Sequence, residues 1–135
     1  MQMLKVAATA GVVFALLDAV WLGVVMSGFY RTQLGSIVRL SSEGGIAPNW
    51  PAAILVYALL GIGVAWFVMP HGATPPAAAG YGALFGFCVY GVYDLTNFST
   101  LAQYPLPITI VDIAWGTFAT AVCATVVRAI YGWHA

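Results

Sequence analysis

The chain has 135 residues, 62% of them hydrophobic and 6% charged, with four acids, four bases and a formal net charge of zero. A soluble domain carries about 25% charged residues, a disordered one combines low hydrophobicity with high net charge, and a basic-patch nucleic-acid binder needs an excess of cations. The composition excludes all three: what remains is an integral membrane protein whose first partner is the lipid bilayer, with no nucleic acid expected.

A helix that crosses a bilayer needs roughly 20 mostly apolar residues, and four stretches supply them. The first covers residues 4–29. Lys5 in front of it suggests a signal peptide, but the apolar stretch is longer than a signal core and contains Asp18, so it reads as a retained helix. A loop over 30–51 follows. In it Leu34, Ile37, Val38 and Leu40 recur at helical spacing among Arg31 and Arg39, which predicts a short interfacial helix over 31–40. Ser41-Ser42-Glu43-Gly44-Gly45 then reads as a turn. The second span is 52–69, opened by Pro51 and closed by Pro70. Tyr57 is its only clearly polar side chain, and Gly61 and Gly63 allow close approach, so it reads as a packing or lipid-facing helix. A small-residue linker at 72–76 leads to the third span, 79–101, and a tight turn at 103–105 to the fourth, 106–133.

The expected fold is therefore an all-α integral membrane domain over residues 1–135. Four transmembrane helices form one bundle with both termini on the same side. Lys5 and Arg128 lie on the terminal side, and Arg31 and Arg39 on the other. The basic count is two against two before the terminal amine, so orientation leans only slightly to cytoplasmic termini. Trp50 and Tyr104 suit the interface at the loop side; Trp66, Tyr131, Trp133 and His134 suit the terminal side.

Three of the four acids, Asp18, Asp94 and Asp112, fall inside spans. A carboxylate in hydrocarbon costs several kcal/mol unless it faces the bundle interior or a wet cavity, so all three are candidate functional groups. At 1.5 Å per residue they lie roughly 9–16 Å below the surface opposite the termini, in one layer. Their neighbours are polar and aromatic. Tyr90, Asp94 and Asn97 share a face of the third helix, with Tyr93 beside them. Asp18-Ala-Val-Trp21 and Asp112-Ile-Ala-Trp115 repeat an Asp-x-x-Trp element on the first and fourth helices. The bland alternative is that these groups hold helices together, at under about 2 kcal/mol each. Asp18 would then bond the Trp115 indole and Asp112 that of Trp21, with Arg31 or Arg39 neutralising one carboxylate.

No metal-ligand spacing, nucleophile elbow, CxxC or phosphate loop appears. No metal or cofactor is expected. Cys88 and Cys123 both fall in spans and read as small packing residues.

At this point the chain resembles a known group of sequences. The matching features are Asp18-Ala-Val-Trp21-Leu-Gly23, Gly28-Phe29-Tyr30-Arg31, Leu34-Gly35 and Asn49-Trp50-Pro51-Ala52, followed by Tyr93-Asp94-Leu-Thr-Asn97 and Val111-Asp112-Ile-Ala-Trp115-Gly116-Thr117. These are similar to a bacterial family of four-span predicted membrane proteins of unknown function. Tyr104 stands where that family usually has a Trp. The resemblance implies the four-span fold and a bacterial cytoplasmic membrane location; it implies no activity.

Two functions compete. In the first, the carboxylates with Tyr90, Tyr93, Asn97, Trp21 and Trp115 line a pocket for a lipid or small molecule. The loop with Arg31 and Arg39 is its lid, and those cations hold an anionic headgroup. The carboxylates then act in acid–base chemistry or take up protons, with Asp94 as base, and a homodimer is expected for a carrier. In the second, the chain is an accessory subunit of a larger membrane complex. The tolerance of Gly61 and Gly63 for bulk is the expected discriminator.

Overall fold

The computed structural model describes residues 1–132; the anchors expected at Trp133 and His134 lie outside them. Five α-helices follow in order: α1 (Gln2–Val20), α2 (Ser27–Leu34), α3 (Trp50–Gly63), α4 (Pro75–Thr100) and α5 (Leu106–Tyr131). α1 runs on through a π turn, Trp21–Val25, and α3 through another, Val64–Val68. Among the described residues, extended pairing is confined to a bridge between Leu40 and Ile46.

The helix starts are set by local chemistry. The Asn49 side chain accepts from the Ala52 N–H at 3.2 Å, with Pro51 in the first turn of α3. Thr74 does the same for the Ala77 N–H at 3.3 Å, and Pro75 and Pro76 occupy the first turn of α4. A proline there loses no helical hydrogen bond. α4 therefore begins four residues before the expected start at 79, and part of the expected linker is helix.

The loop helix also differs from expectation. It covers Ser27–Leu34, not 31–40, with a short 3-10 turn at Gly35–Ile37. Gly35 ends it at φ 54°, ψ −124°, a backbone conformation that essentially only glycine adopts. The turn expected at residues 41–45 is present: the Ser41 N–H donates to the Gly45 carbonyl at 2.8 Å.

Packing rests on small residues. Gly61 of α3 lies against the Ala7 carbonyl and Gly11 amide of α1, leaving no room for a Cβ. Gly82 and Gly86 of α4 lie likewise on the Thr120 and Gly116 backbone of α5. Close backbone approach of this kind is how helices associate where there is no hydrophobic drive between them. Gly63 faces the Phe85 ring of α4. Both Gly61 and Gly63 thus pack within the chain, so bulk at either reports internal packing and cannot discriminate lipid from a partner.

The buried core joins Ala10 and Phe14 of α1, Val64 and Val68 of the second π turn, and Ala119, Cys123, Ala124 and Val127 of α5. The Cys123 thiol donates to the Ala10 carbonyl at 3.4 Å. Below it, the start of α1 meets the end of α5: the Tyr131 hydroxyl lies 2.6 Å from Thr9 Oγ1, and Arg128 Nη2 donates to the Met69 carbonyl at 2.8 Å. This end holds a smaller cavity of about 350 Å³ beside Arg128 and Tyr131, and the three aspartates lie at the other.

The outer surface is apolar: Val12, Leu16, Leu55, Leu59, Phe67, Leu84, Phe87, Val92, Ile110 and Phe118 are all exposed. Among the described residues, three helices are long and apolar enough to cross a membrane: Gln2–Val25, Trp50–Val68 and Leu106–Tyr131. α4 matches α5 in length, 26 residues, but carries the densest run of polar side chains and is not one of the three.

Candidate functional site

Each of the three intrahelical carboxylates takes a hydrogen bond from its own tyrosine. Tyr57 of α3 donates to Asp18 Oδ2 at 3.2 Å, Tyr30 of α2 to Asp112 Oδ1 at 2.5 Å, and Tyr104 of the α4–α5 turn to Asp94 Oδ1 at 2.6 Å. Asp94 is fully buried and Asp18 nearly so, while Asp112 is partly open. A carboxylate buried among apolar helices keeps its place only if donors meet its lone pairs. Three helical registers and a turn converge to provide them.

The two Asp-x-x-Trp elements interlock across α1 and α5. The Trp115 indole donates to Asp18 Oδ1 at 2.7 Å. Trp21 stacks on Trp115, with ring centroids 4.3 Å apart and planes 2° from parallel. The expected Trp21–Asp112 bond is not direct. The Trp21 indole donates to the Tyr30 hydroxyl at 3.2 Å, and that hydroxyl passes on to Asp112. The π turn beginning at Trp21 closes with the Met26 N–H donating to the Trp21 carbonyl at 2.7 Å. Such turns recur at functional sites, where they displace a side chain from α-helical register.

Asp112 is central. Its carboxyl is a close neighbour of that of Asp94. Asp94 Oδ2 is buried and accepts from no other group, so its hydrogen-bonding neighbour is the Asp112 carboxyl. Two carboxyls therefore sit side by side, placed to share one proton.

Beside them lies a cavity of about 810 Å³, bounded by α2, the following loop, the end of α4 and the start of α5. Asp112, Tyr30, Tyr93, Asn97, Thr100, Gln103 and Tyr104 form its polar wall. Leu22, Leu34, Ile37, Val38, Ile46 and Ile108 form the apolar one. Leu34, Ile37 and Val38, expected at a lipid interface, also line this cavity. A second cavity of about 620 Å³ lies across the loop; it reaches Asp18 and Tyr57 and includes Arg31 and Glu43.

The residues expected at the site divide accordingly. Asp18, Asp94, Asp112, Trp21 and Trp115 form one connected layer, and Tyr93 and Asn97 line the larger cavity. Tyr90 lies under the layer, its ring filling the space left by Gly116. The lid cations do not behave as expected. Arg31 is committed to backbone, its Nη1 donating to the Gly44 carbonyl at 2.8 Å, and it borders only the second cavity. Arg39 is exposed and borders neither.

Three contributors were missed in the sequence: Tyr30, Tyr57 and Tyr104. Tyr57 was visible as the lone polar side chain of an otherwise apolar helix, and a polar group so placed needs a partner. Tyr104 passed for an interfacial anchor, and Tyr30 for part of a loop. Nothing in their spacing points to the carboxylates, because each pair joins different elements.

A family model described as "Predicted membrane protein (DUF2177)" matches residues 3–129. No curated protein and no solved structure matches the chain.

Proposed function

This chain belongs to that family of predicted membrane proteins, and from that premise we propose a four-span bundle holding a one-sided intramembrane site for a lipid or small amphiphilic molecule. The fourth span in this reading is α4. Its 26 residues extend about 39 Å at 1.5 Å per residue, enough for a bilayer core of about 30 Å. Its outward Leu84, Phe87, Val92 and Leu95 are exposed and apolar, while Asp94 faces inward. The polar run that lowers its hydropathy is the run that builds the site. The contacts between the start of α1 and the end of α5 support termini on one face, opposite the carboxylates. The whole chain then acts as one domain, in a bacterial cytoplasmic membrane.

The observation that carries the site is the large cavity ending on Asp112. A pocket of this size, mostly apolar with a few convergent polar groups, is the usual form of a ligand site. Asp112 contacts the ligand. Asp94, buried behind Tyr104, exchanges a proton with Asp112, which gives the pair general acid–base capacity. Asp18, with donors on both oxygens, positions Trp115 and through it Trp21. The core of Phe14, Val64, Ala119 and Cys123 lies between this layer and the terminal end. That packing favours binding or chemistry at one face over passage across the bundle.

The test is extraction with native lipid into polymer-bounded discs, followed by mass spectrometry of proteins and small molecules from wild type and Asp112→Asn. A molecule retained by wild type and lost in the variant supports the site. A stoichiometric protein partner with no retained molecule replaces it with the accessory-subunit reading.

A further inference from the structure

The charge of the larger cavity is one-sided. Among the described residues, its lining holds no Lys, Arg or His, and Asp112 is its one carboxylate. Both bases of the loop are elsewhere: Arg31 is spent on the Gly44 carbonyl beyond the wall, and Arg39 points away. Behind Asp112 lies a second carboxyl, that of Asp94, whose buried Oδ2 has no neighbour to bond but Asp112. Around it stand three tyrosine rings, Tyr30, Tyr93 and Tyr104. The hydroxyls of Tyr30 and Tyr104 already donate to carboxylates, so what they still offer is acceptor lone pairs and ring faces. An anionic head entering here would meet a like charge in a weakly screened site, offset only by the neutral donors of Tyr93, Asn97, Thr100 and Gln103 and by no cation. A cationic head would meet a carboxylate and aromatic faces, the combination that recognises ammonium groups. The remaining wall is aliphatic and suits a hydrocarbon chain.

We propose that the molecule this cavity takes is a cationic amphiphile, an apolar chain bearing a protonated amine, with the ammonium set between Asp112 and the tyrosine rings. This rests on the site reading above and specifies its substrate class.

The experiment titrates the full chain, held in a lipid-free amphipathic polymer, with three probes of equal chain length: octylamine, octanol and octyl phosphate. Isothermal calorimetry reads the affinities. Saturable octylamine binding is expected, about tenfold or more tighter than octanol, as a partly desolvated cation–ring contact allows. That preference should vanish in Asp112→Asn. Should this variant fail to fold, Tyr93→Leu decides, because Tyr93 donates to none of the three carboxylates and the residue is 60% exposed; the octylamine preference should fall severalfold while octanol binding holds. Equal binding of octanol and octylamine, unchanged in these variants, overturns the cationic class but leaves a site. Tighter octyl phosphate binding overturns it in favour of the cavity at Arg31. No saturable binding of any probe, with no molecule retained in native discs, overturns both readings.

Discussion

Replacing Trp115 by Phe keeps an aromatic ring against Trp21 but removes the indole N–H that Asp18 Oδ1 accepts at 2.7 Å. Hydrogen bonds to charged groups contribute about 1.5–3 kcal/mol in soluble proteins. Between helices in a membrane the average is nearer ~0.6, with a maximum near ~1.7 kcal/mol. The Asp18 bond is short, and only Tyr57 remains to satisfy the carboxylate, so the upper part of the membrane range applies. The expected cost is about 1–1.7 kcal/mol, roughly a tenfold shift in the unfolding equilibrium. A double-mutant cycle isolates it. Asp18→Leu, Trp115→Phe and the pair are unfolded reversibly by SDS in mixed micelles and followed by far-ultraviolet circular dichroism. The coupling energy should be about 1 kcal/mol, well above the ~0.3–0.5 kcal/mol within which distant sites add. Additive single variants would show that the bond contributes nothing and that the crossed Asp-x-x-Trp pair is held by stacking alone.

The other expectations concern separate parts of the bundle. Gly86→Leu should destabilise the α4–α5 contact by about 1–3 kcal/mol or more, since even a Cβ has no space beside the Gly116 carbonyl and Thr120; the same SDS titration reads it. Tyr104→Phe should cost about 1–3 kcal/mol by leaving the buried Asp94 with only the Asp112 carboxyl to bond, and octylamine affinity should fall with it. Arg128→Leu should lower stability by removing the donor to the Met69 carbonyl, by about 1–3 kcal/mol. It should leave probe binding unchanged, because the closed core separates it from the cavity; a change in binding would show that the two ends are coupled. Gly35→Ala forces a side chain into a backbone conformation worth about 1–3 kcal/mol of strain. A fall in octylamine affinity greater than the fall in stability would identify the loop helix as part of the cavity wall.

Much of the architecture was legible in the residues because it follows from local physics. Runs of apolar residues long enough for a bilayer stand out against Pro51, Pro70 and Pro107, and three intrahelical carboxylates stand out against everything around them. The shared face of Tyr90, Asp94 and Asn97 follows from helical periodicity, and Gly82, Gly86, Tyr90 and Asp94 do form the inward stripe of α4. The Asp18–Trp115 bond was foreseeable because both groups need a partner at the same depth. Errors arose where a local signal has two meanings. Pro75 and Pro76 suit a linker as well as a first helical turn, and the Thr74 cap decides between them. Leu34, Ile37 and Val38 suit an interface as well as a cavity wall.

Composition and periodicity alone determined that this is an all-helical membrane chain and that three of its four acids lie within helices. Both depend only on the cost of exposing peptide groups and charges to hydrocarbon. The assignment of one tyrosine to each aspartate, the Trp21–Trp115 stack, the exclusion of both loop arginines from the larger cavity and the cavity itself were decided by tertiary structure. Each of them joins residues from different elements, and the relative rotation and depth of packed helices is set by side chains meeting across an interface, which no spacing along one helix encodes.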